Sequence, residues 1–181
     1  MIISYNGDLG AGKSTIAKKV AEKLGFKHYY MGQILRNMSK ERGMTFLDFM
    51  KLAEKDPSID EDLDTYVKKL GQEEDDFIIE SRTAWHFIPE SVKIYLSVSE
   101  EEGARRIHKE LQEKNDRNEE VKSLEGVLED CRRRVLSEKK RYKKYYNFDV
   151  QDLKHYDFVL DTTNLTPQEV LEENLKFLRS L

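Results

Sequence analysis

Apolar positions cluster first at residues 2–5, Ile-Ile-Ser-Tyr, then break at a glycine-rich stretch and return at helical spacing as Ile16, Ala17, Val20, Ala21 and Leu24. An unbroken short run predicts a buried strand, and the three-and-four spacing predicts an amphipathic helix over 13–24. Further short apolar runs at 26–29, 77–80, 92–96 and 158–160 predict four more strands, each separated from the next by long helical patterns. That alternation is the signature of an α/β fold: a parallel five-stranded sheet flanked by helices on both faces.

Between the second and third strands the pattern is wholly helical. Segments 33–42, 45–54 and 60–70 carry apolar faces, with Phe46, Phe49, Met50 and Ala53 on the second and Leu63, Tyr66, Val67 and Leu70 on the third. They predict an inserted helical subdomain. Ser99 with Glu102 and Thr166 with Glu169 match the capping box, and Pro167 suits a first helical position, so helices are expected to begin at 100 and 167. Residues 112–122 are almost entirely polar and lie between two helices, which predicts a mobile excursion able to act as a lid.

Composition narrows the class. The 181 residues fit one domain, and 38% hydrophobic with 36% charged residues describes a globular chain with a charged surface. A net charge of -4 argues against a general nucleic-acid or membrane-surface binder. The single cysteine, Cys131, can form neither an internal disulfide nor a multi-cysteine zinc site, and the N-terminal apolar run is too short for a signal peptide. A cytoplasmic protein is the expectation.

The chemistry begins at Gly7-Asp8-Leu9-Gly10-Ala11-Gly12-Lys13-Ser14, a full Walker A match placed after a short strand and before a helix. Residues Gly7 through Ser14, with Thr15 following, form the expected ATP-binding loop. Its glycines allow successive backbone N–H groups to turn onto phosphate oxygens, and the helix N-terminus adds partial positive charge. Lys13 is expected to reach the β and γ phosphates, and the Ser14 hydroxyl to ligate Mg²⁺. No Asn-Lys-x-Asp element of a GTPase follows, and a motor ATPase would be longer, so the size favours a small-molecule kinase.

Beyond the loop, the chain resembles the cytidylate kinase family, in its archaeal-type branch, over essentially its whole length. The resemblance is carried by the loop itself, Met31-Gly32-Gln33-Ile34-Leu35-Arg36, residues 41–49, Asp56-Pro57-Ser58-Ile59-Asp60, Glu80-Ser81-Arg82, and the Ser137-Glu138-x-x-Arg141-Tyr142 stretch continuing to Asp149. It implies a P-loop fold with a core at 1–30, 74–111 and 150–181, a helical monophosphate-binding insertion at 31–73 and a lid region at 112–149. The implied reaction is γ-phosphate transfer from ATP to CMP or dCMP, with Mg²⁺ as cofactor, by a monomer.

Arg36 and Arg82 follow the second and third strands, at the carboxyl edge where ligands of α/β proteins bind, and two guanidinium forks there suit a phosphate clamp. Glu80 ends an apolar run at the same edge and suits Mg²⁺ binding, by way of water. The resemblance further implies that Arg134 and Arg141 are lid arginines closing on the transferring phosphoryl group. Asp60 either accepts from the cytosine amino group or caps a helix. Thr83 stands where the bacterial branch has an aspartate that helps read cytosine, and Asp8-Leu9 replaces smaller or proline residues, a change expected to alter phosphate affinity. His28, His86, His108, His155 and Cys131 read as structural or surface residues, and Trp85 as core. A kinase for UMP or AMP remains an alternative, as does an ATP-binding switch that contacts protein or RNA through the basic stripe at 132–144.

Overall fold

The computed structural model describes residues 1–113 and 123–181, so most of the polar excursion at 112–122 lies outside the described residues. Five strands, β1 (Ile2–Gly7), β2 (Lys27–Tyr30), β3 (Phe77–Glu80), β4 (Val92–Ser97) and β5 (Phe158–Asp161), form one parallel sheet in the order β2-β3-β1-β4-β5. β1 occupies the centre and is buried along its whole length, its polar Ser4 and Asn6 included. Register aligns Tyr5 with Glu80 of β3 on one side and with Ile94 of β4 on the other. The residues that follow β1 and β3 therefore emerge side by side at the carboxyl edge of the sheet, on either side of a crossover.

Helix α1 (Lys13–Leu24) and helix α8 (Pro167–Leu178) cover one face. Ile3, Ile78 and Ile94 of the sheet meet Ala17, Val20 and Leu171 there in a single buried cluster. Helix α4 (Ser58–Glu73) and the short α5 (Ala84–Phe87) cover the other face, where Leu63, Val67 and Leu70 pack on Phe77 and Ile79. Each fully buried aliphatic side chain contributes about 1.5–3 kcal/mol, so these two clusters hold the sheet edge in place beneath the site. No helix among the described residues is long and apolar enough to cross a membrane.

The insertion forms as its pattern predicts, with α2 (Met31–Glu41) and α3 (Phe46–Ala53) preceding α4, and its own small core of Phe46, Phe49, Met50, Ala53 and Ile59. The helix starts expected at 100 and 167 are those of α6 (Glu100–Glu113) and α8. At α8 the capping box is complete. At α6 it is half formed: Ser99 accepts from the Glu102 amide at 3.3 Å, but the Glu102 carboxylate is taken by Arg105 and Arg106, and the Ser99 amide donates to Thr163 instead.

Within the region expected to be the lid, residues Leu124–Tyr146 make one long helix, α7, capped at its start by Ser123. Its first turns pack Val127 and Cys131 against Ala104, Ile107 and Leu111 of α6. Its last turns lean on the insertion, where the Tyr145 hydroxyl donates to the carbonyls of Ala53 and Glu54 at 3.2 Å. Trp85, expected in the core, is buried, stacks on His155 at 4.1 Å and donates its indole N–H to the Arg82 carbonyl at 3.0 Å.

Candidate active site

The loop between β1 and α1 is shaped by backbone contacts that exclude side chains. At Gly7 a Cβ would lie 2.0 Å from the Leu96 carbonyl oxygen, and at Gly10 it would lie 2.3 Å from the carbonyl oxygen of Gly103 on α6. Both also have positive φ, so any substitution would strain the chain as well as collide. Helix α1 starts at Gly12 without a side-chain cap and with no acid in its first turn. Its leading amides and dipole are thereby left for an anion.

Lys13 folds back over this loop, donating to the Gly7 carbonyl at 2.9 Å and the Asp8 carbonyl at 2.5 Å. Withdrawal from water and the nearby Arg82 guanidinium push its ammonium down to about 7, against the pull of Glu80, Asp8 and Glu138. A phosphate arriving there would restore the charge. Ser14 donates to the Glu80 carboxylate at 2.7 Å, and the other Glu80 oxygen is held by His28 Nε2 at 2.7 Å. His28, read from sequence as structural or surface, thus touches the acid at the mouth of the loop.

Asp8 does not enter the phosphate cradle. Its carboxylate accepts from the Tyr95 hydroxyl at 2.7 Å, the Val98 amide at 3.1 Å and Gln151 at 3.2 Å, which turns it outward and ties the loop to the end of β4. The unusual residue at this position is therefore a brace for the loop's outer side.

A cavity of about 890 Å³ opens from the loop toward the insertion and α7. Residues Leu9 through Thr15 line it, together with Arg36, Asp60, Glu80, Arg82, Arg134 and Arg141, so the structure brings nearly all the sequence-selected side chains to one space. Arg82 donates through Nη1 to the Asn6 side chain at 2.8 Å and to the Gly7 carbonyl at 2.5 Å, and pairs through Nε with Glu138 at 2.9 Å. Arg36, buried on α2, donates to the Tyr30 hydroxyl and the Gly32 carbonyl, each at 3.1 Å. Its guanidinium lies 4.8 Å from the Phe46 ring centre, as does that of Arg134. Such cation–π contacts orient both guanidinium planes against the ring.

Arg141 and Asp60 are paired with each other. One guanidinium nitrogen of Arg141 reaches both Asp60 oxygens at 2.6 Å, and both side chains are about 2% exposed. Asp60 is not a helix cap, because that position is held by Pro57; it lies in the first turn of α4 and faces the cavity. One turn further, Asp64 accepts from Thr83 at 2.5 Å and from the Tyr146 hydroxyl. Burial raises the affinity of both acids for a proton, opposed at Asp60 by Arg141 and at Asp64 by its hydroxyl donors. Thr83, at the position where an aspartate was missing, serves as a hydrogen-bond partner of this acidic pair.

The basic stripe at 132–144 divides. Arg134 and Arg141 turn inward, Arg132 pairs with Glu100 at 2.9 Å, and Arg133 pairs with Glu129, while Lys139, Lys140, Lys143 and Lys144 are exposed. Two further residues of the site, Asn6 and Glu138, were given no role from sequence. Asn6 bridges Arg82 and the 150–156 segment, and Glu138 sits among the arginines; Glu138 does stand in the stretch that carries the family resemblance, whereas the signal of Asn6 was a polar residue in a strand.

Solved structures share this architecture at low identity. Shikimate kinase from Acinetobacter baumannii superposes with a TM-score of 0.62 at 15% identity over 99% of this chain and 93% of its own. Shikimate kinase from Bacteroides thetaiotaomicron gives 0.65 at 13% identity over 99% and 98%. Those likenesses establish a P-loop kinase fold. Sequence relatives are nearer: a cytidylate kinase of Haloarcula marismortui is 37% identical over 99% of this chain and 90% of that protein, and one of Methanocella arvoryzae is 37% identical over 90% and 88%. The model of the cytidylate kinase-like family matches residues 2–164. With the loop, the crossover and the arginine-lined cavity all falling within that match, the chain belongs to the cytidylate kinase-like family.

Proposed function

We propose that the protein is a nucleoside monophosphate kinase that transfers the γ-phosphate of ATP to CMP or dCMP, giving ADP and CDP or dCDP. The observation that carries this reading is the position of Arg82. It binds the carbonyl of Gly7, the first residue of the phosphate loop, and lines the same cavity as Arg36, Arg134 and the insertion. A triphosphate laid on the α1 N-terminus and a monophosphate clamped between Arg36 and Arg82 would meet there. In-line transfer between two phosphates needs alignment and charge neutralisation more than a general base.

The acceptor already carries a nucleophilic oxyanion, so the residues' work is to bind, orient and exclude water. The α1 amides and Lys13 hold the triphosphate. Arg82 and Arg134 face the charge that spreads over the transferred group, and the family relatives support CMP as the acceptor base. Asp60 and Asp64 supply acceptors, and Arg141 and Thr83 donors, to the wall where a base edge would lie.

Ser14 and Glu80 are hard oxygen donors 2.7 Å apart beside the loop, a donor set that fits Mg²⁺. Among the described residues no group of three or more His, Cys, Asp or Glu side chains could cage a metal alone, so the ion would be shared with phosphate oxygens. Ser14 and Glu80 would hold the ion, which would offset the charge of the phosphates.

The test is ADP formation from Mg-ATP with CMP, dCMP, UMP, AMP and GMP supplied separately, for wild type and Arg82→Ala. Stimulation by CMP or dCMP, reduced about 10²–10³-fold in the variant, is the expected result. Stimulation only by UMP or AMP would move the base assignment and keep the chemistry. No stimulation by any monophosphate would sink the kinase reading.

A further inference from the structure

Glu138 is the carboxylate that pairs with both Arg82 and Arg134, and nothing in the transfer chemistry calls for a negative charge there. It is 6% exposed, lines the cavity and divides its two oxygens between two arginines. Oε2 takes Arg82 Nε at 2.9 Å and Oε1 takes Arg134 Nε at 3.3 Å. Burial alone would raise its proton affinity, yet Arg82, Arg134 and Arg141 together hold it ionised, below the usual carboxylate range. An anion in a site built for phosphates weakens phosphate binding electrostatically, so its presence needs another reason.

The reason lies in which nitrogens it occupies. Arg82 uses Nε for Glu138 and Nη1 for Asn6 and the Gly7 carbonyl. Two sides of the guanidinium plane are thus fixed by protein, and Nη2 is the corner left for a phosphate oxygen. Standing on α7, the same carboxylate ties that helix to the edge of the sheet through Arg82 and braces Arg134 one turn earlier on its own helix. Planar forks fixed in this way lose little freedom when substrate arrives.

We propose that Glu138 is a positioning residue, which orients Arg82 and Arg134 for the transferred phosphoryl group at the expense of ground-state affinity for phosphate. The inference rests on the kinase reading above, and it predicts an opposite movement of two constants. With the carboxylate neutralised, the arginines bind ATP more tightly and transfer its phosphate more slowly. A residue that only holds the fold together would weaken both.

The experiment compares wild type, Glu138→Gln and Glu138→Asp by steady-state transfer to the best monophosphate and by calorimetric titration with ATP, after circular dichroism has shown that each is folded. For Glu138→Gln the expected result is a kcat lower by about 10–100-fold with ATP bound about 2–5-fold more tightly. Glu138→Asp keeps the charge and withdraws it by one methylene, so kcat falls without tighter binding; it decides the matter should the glutamine variant fail to fold. A kcat within ~2-fold of wild type in both variants, or ATP affinity in Glu138→Gln that is unchanged or weaker, overturns the proposal. If wild type itself transfers to no monophosphate, the kinase reading fails on its own, and the ATP titration still decides whether Glu138 restrains the arginines.

Discussion

The two halves of the cavity are built by different means. The phosphate loop is a main-chain construction: its shape comes from Gly7 against Leu96 and Gly10 against Gly103, its charge from helix amides and one lysine. The side facing the insertion is a side-chain construction, in which Arg36, Arg82, Arg134 and Arg141 converge from two helices and a strand end and are held by Phe46, Asn6, Glu138 and Asp60. A site made of backbone has few ways to be made and leaves a compact motif. A site made of converging side chains has many, and its parts are scattered across the chain.

The largest expected effect separates the halves most sharply. Lys13→Ala removes the only side-chain cation of the loop and should lower kcat by about 10³-fold or more, with the melting temperature unchanged or raised, since a buried ammonium is removed. Phosphate transfer assays beside thermal melts check it; a large loss of stability would show that Lys13 is structural after all. Asp60→Ala is the counterpart on the acceptor side. It leaves Arg141 buried without its main counter-charge, and breaking a buried pair from one side costs about 3–5 kcal/mol. Urea unfolding should therefore show a marked drop in midpoint, and Asp60→Ala with Arg141→Met should recover much of it.

The smallest effect is a pH dependence. The free protein holds Lys13 at about 7, below its ordinary value of 10.5, so above neutrality the loop loses its cation until a triphosphate returns it. ATP binding should take up a proton and weaken by roughly several-fold between pH 7.5 and 8.5. Calorimetry in buffers of unlike ionisation enthalpy measures the uptake, and Lys13→Arg should abolish it. The sign for stability is opposite: between about 7 and 10.5 the unfolded chain binds the proton that the native lysine lacks, so this residue makes the free protein more stable as pH rises through that window.

The strands and helices were legible because each carries its period: the five strands and the insertion appear where their apolar runs and faces predict. Ends were less so. β1 and β5 run on into polar residues, and α6 closes only half its capping box, because a tertiary partner, Thr163, and the arginines at 105 and 106 on the same helix compete for the capping groups. The turn of the loop was legible from its glycine spacing, but the outward turn of the Asp8 carboxylate was not. Arg36 and Arg82 were legible from their position after strands. The roles of Glu138 and Asn6 were not, since nothing local distinguishes a glutamate in a charged helix from a solvated one; burial against Arg82, 56 residues upstream, distinguishes it. Arg141 was expected on a phosphoryl group, whereas the structure pairs it with Asp60, 81 residues upstream, a partnership no single-helix pattern encodes.

The chain has a single tryptophan, and its place gives the protein an optical readout of its own chemistry. Trp85 binds the backbone oxygen of Arg82 while its ring lies flat against His155. An indole in that position is sensitive to any shift of the Arg82 backbone and to the charge on the stacked imidazole. If ligands shift the Arg82 backbone, occupancy of the cavity is expected to change the intrinsic emission of this one indole, a change that a fluorescence titration with ATP would read.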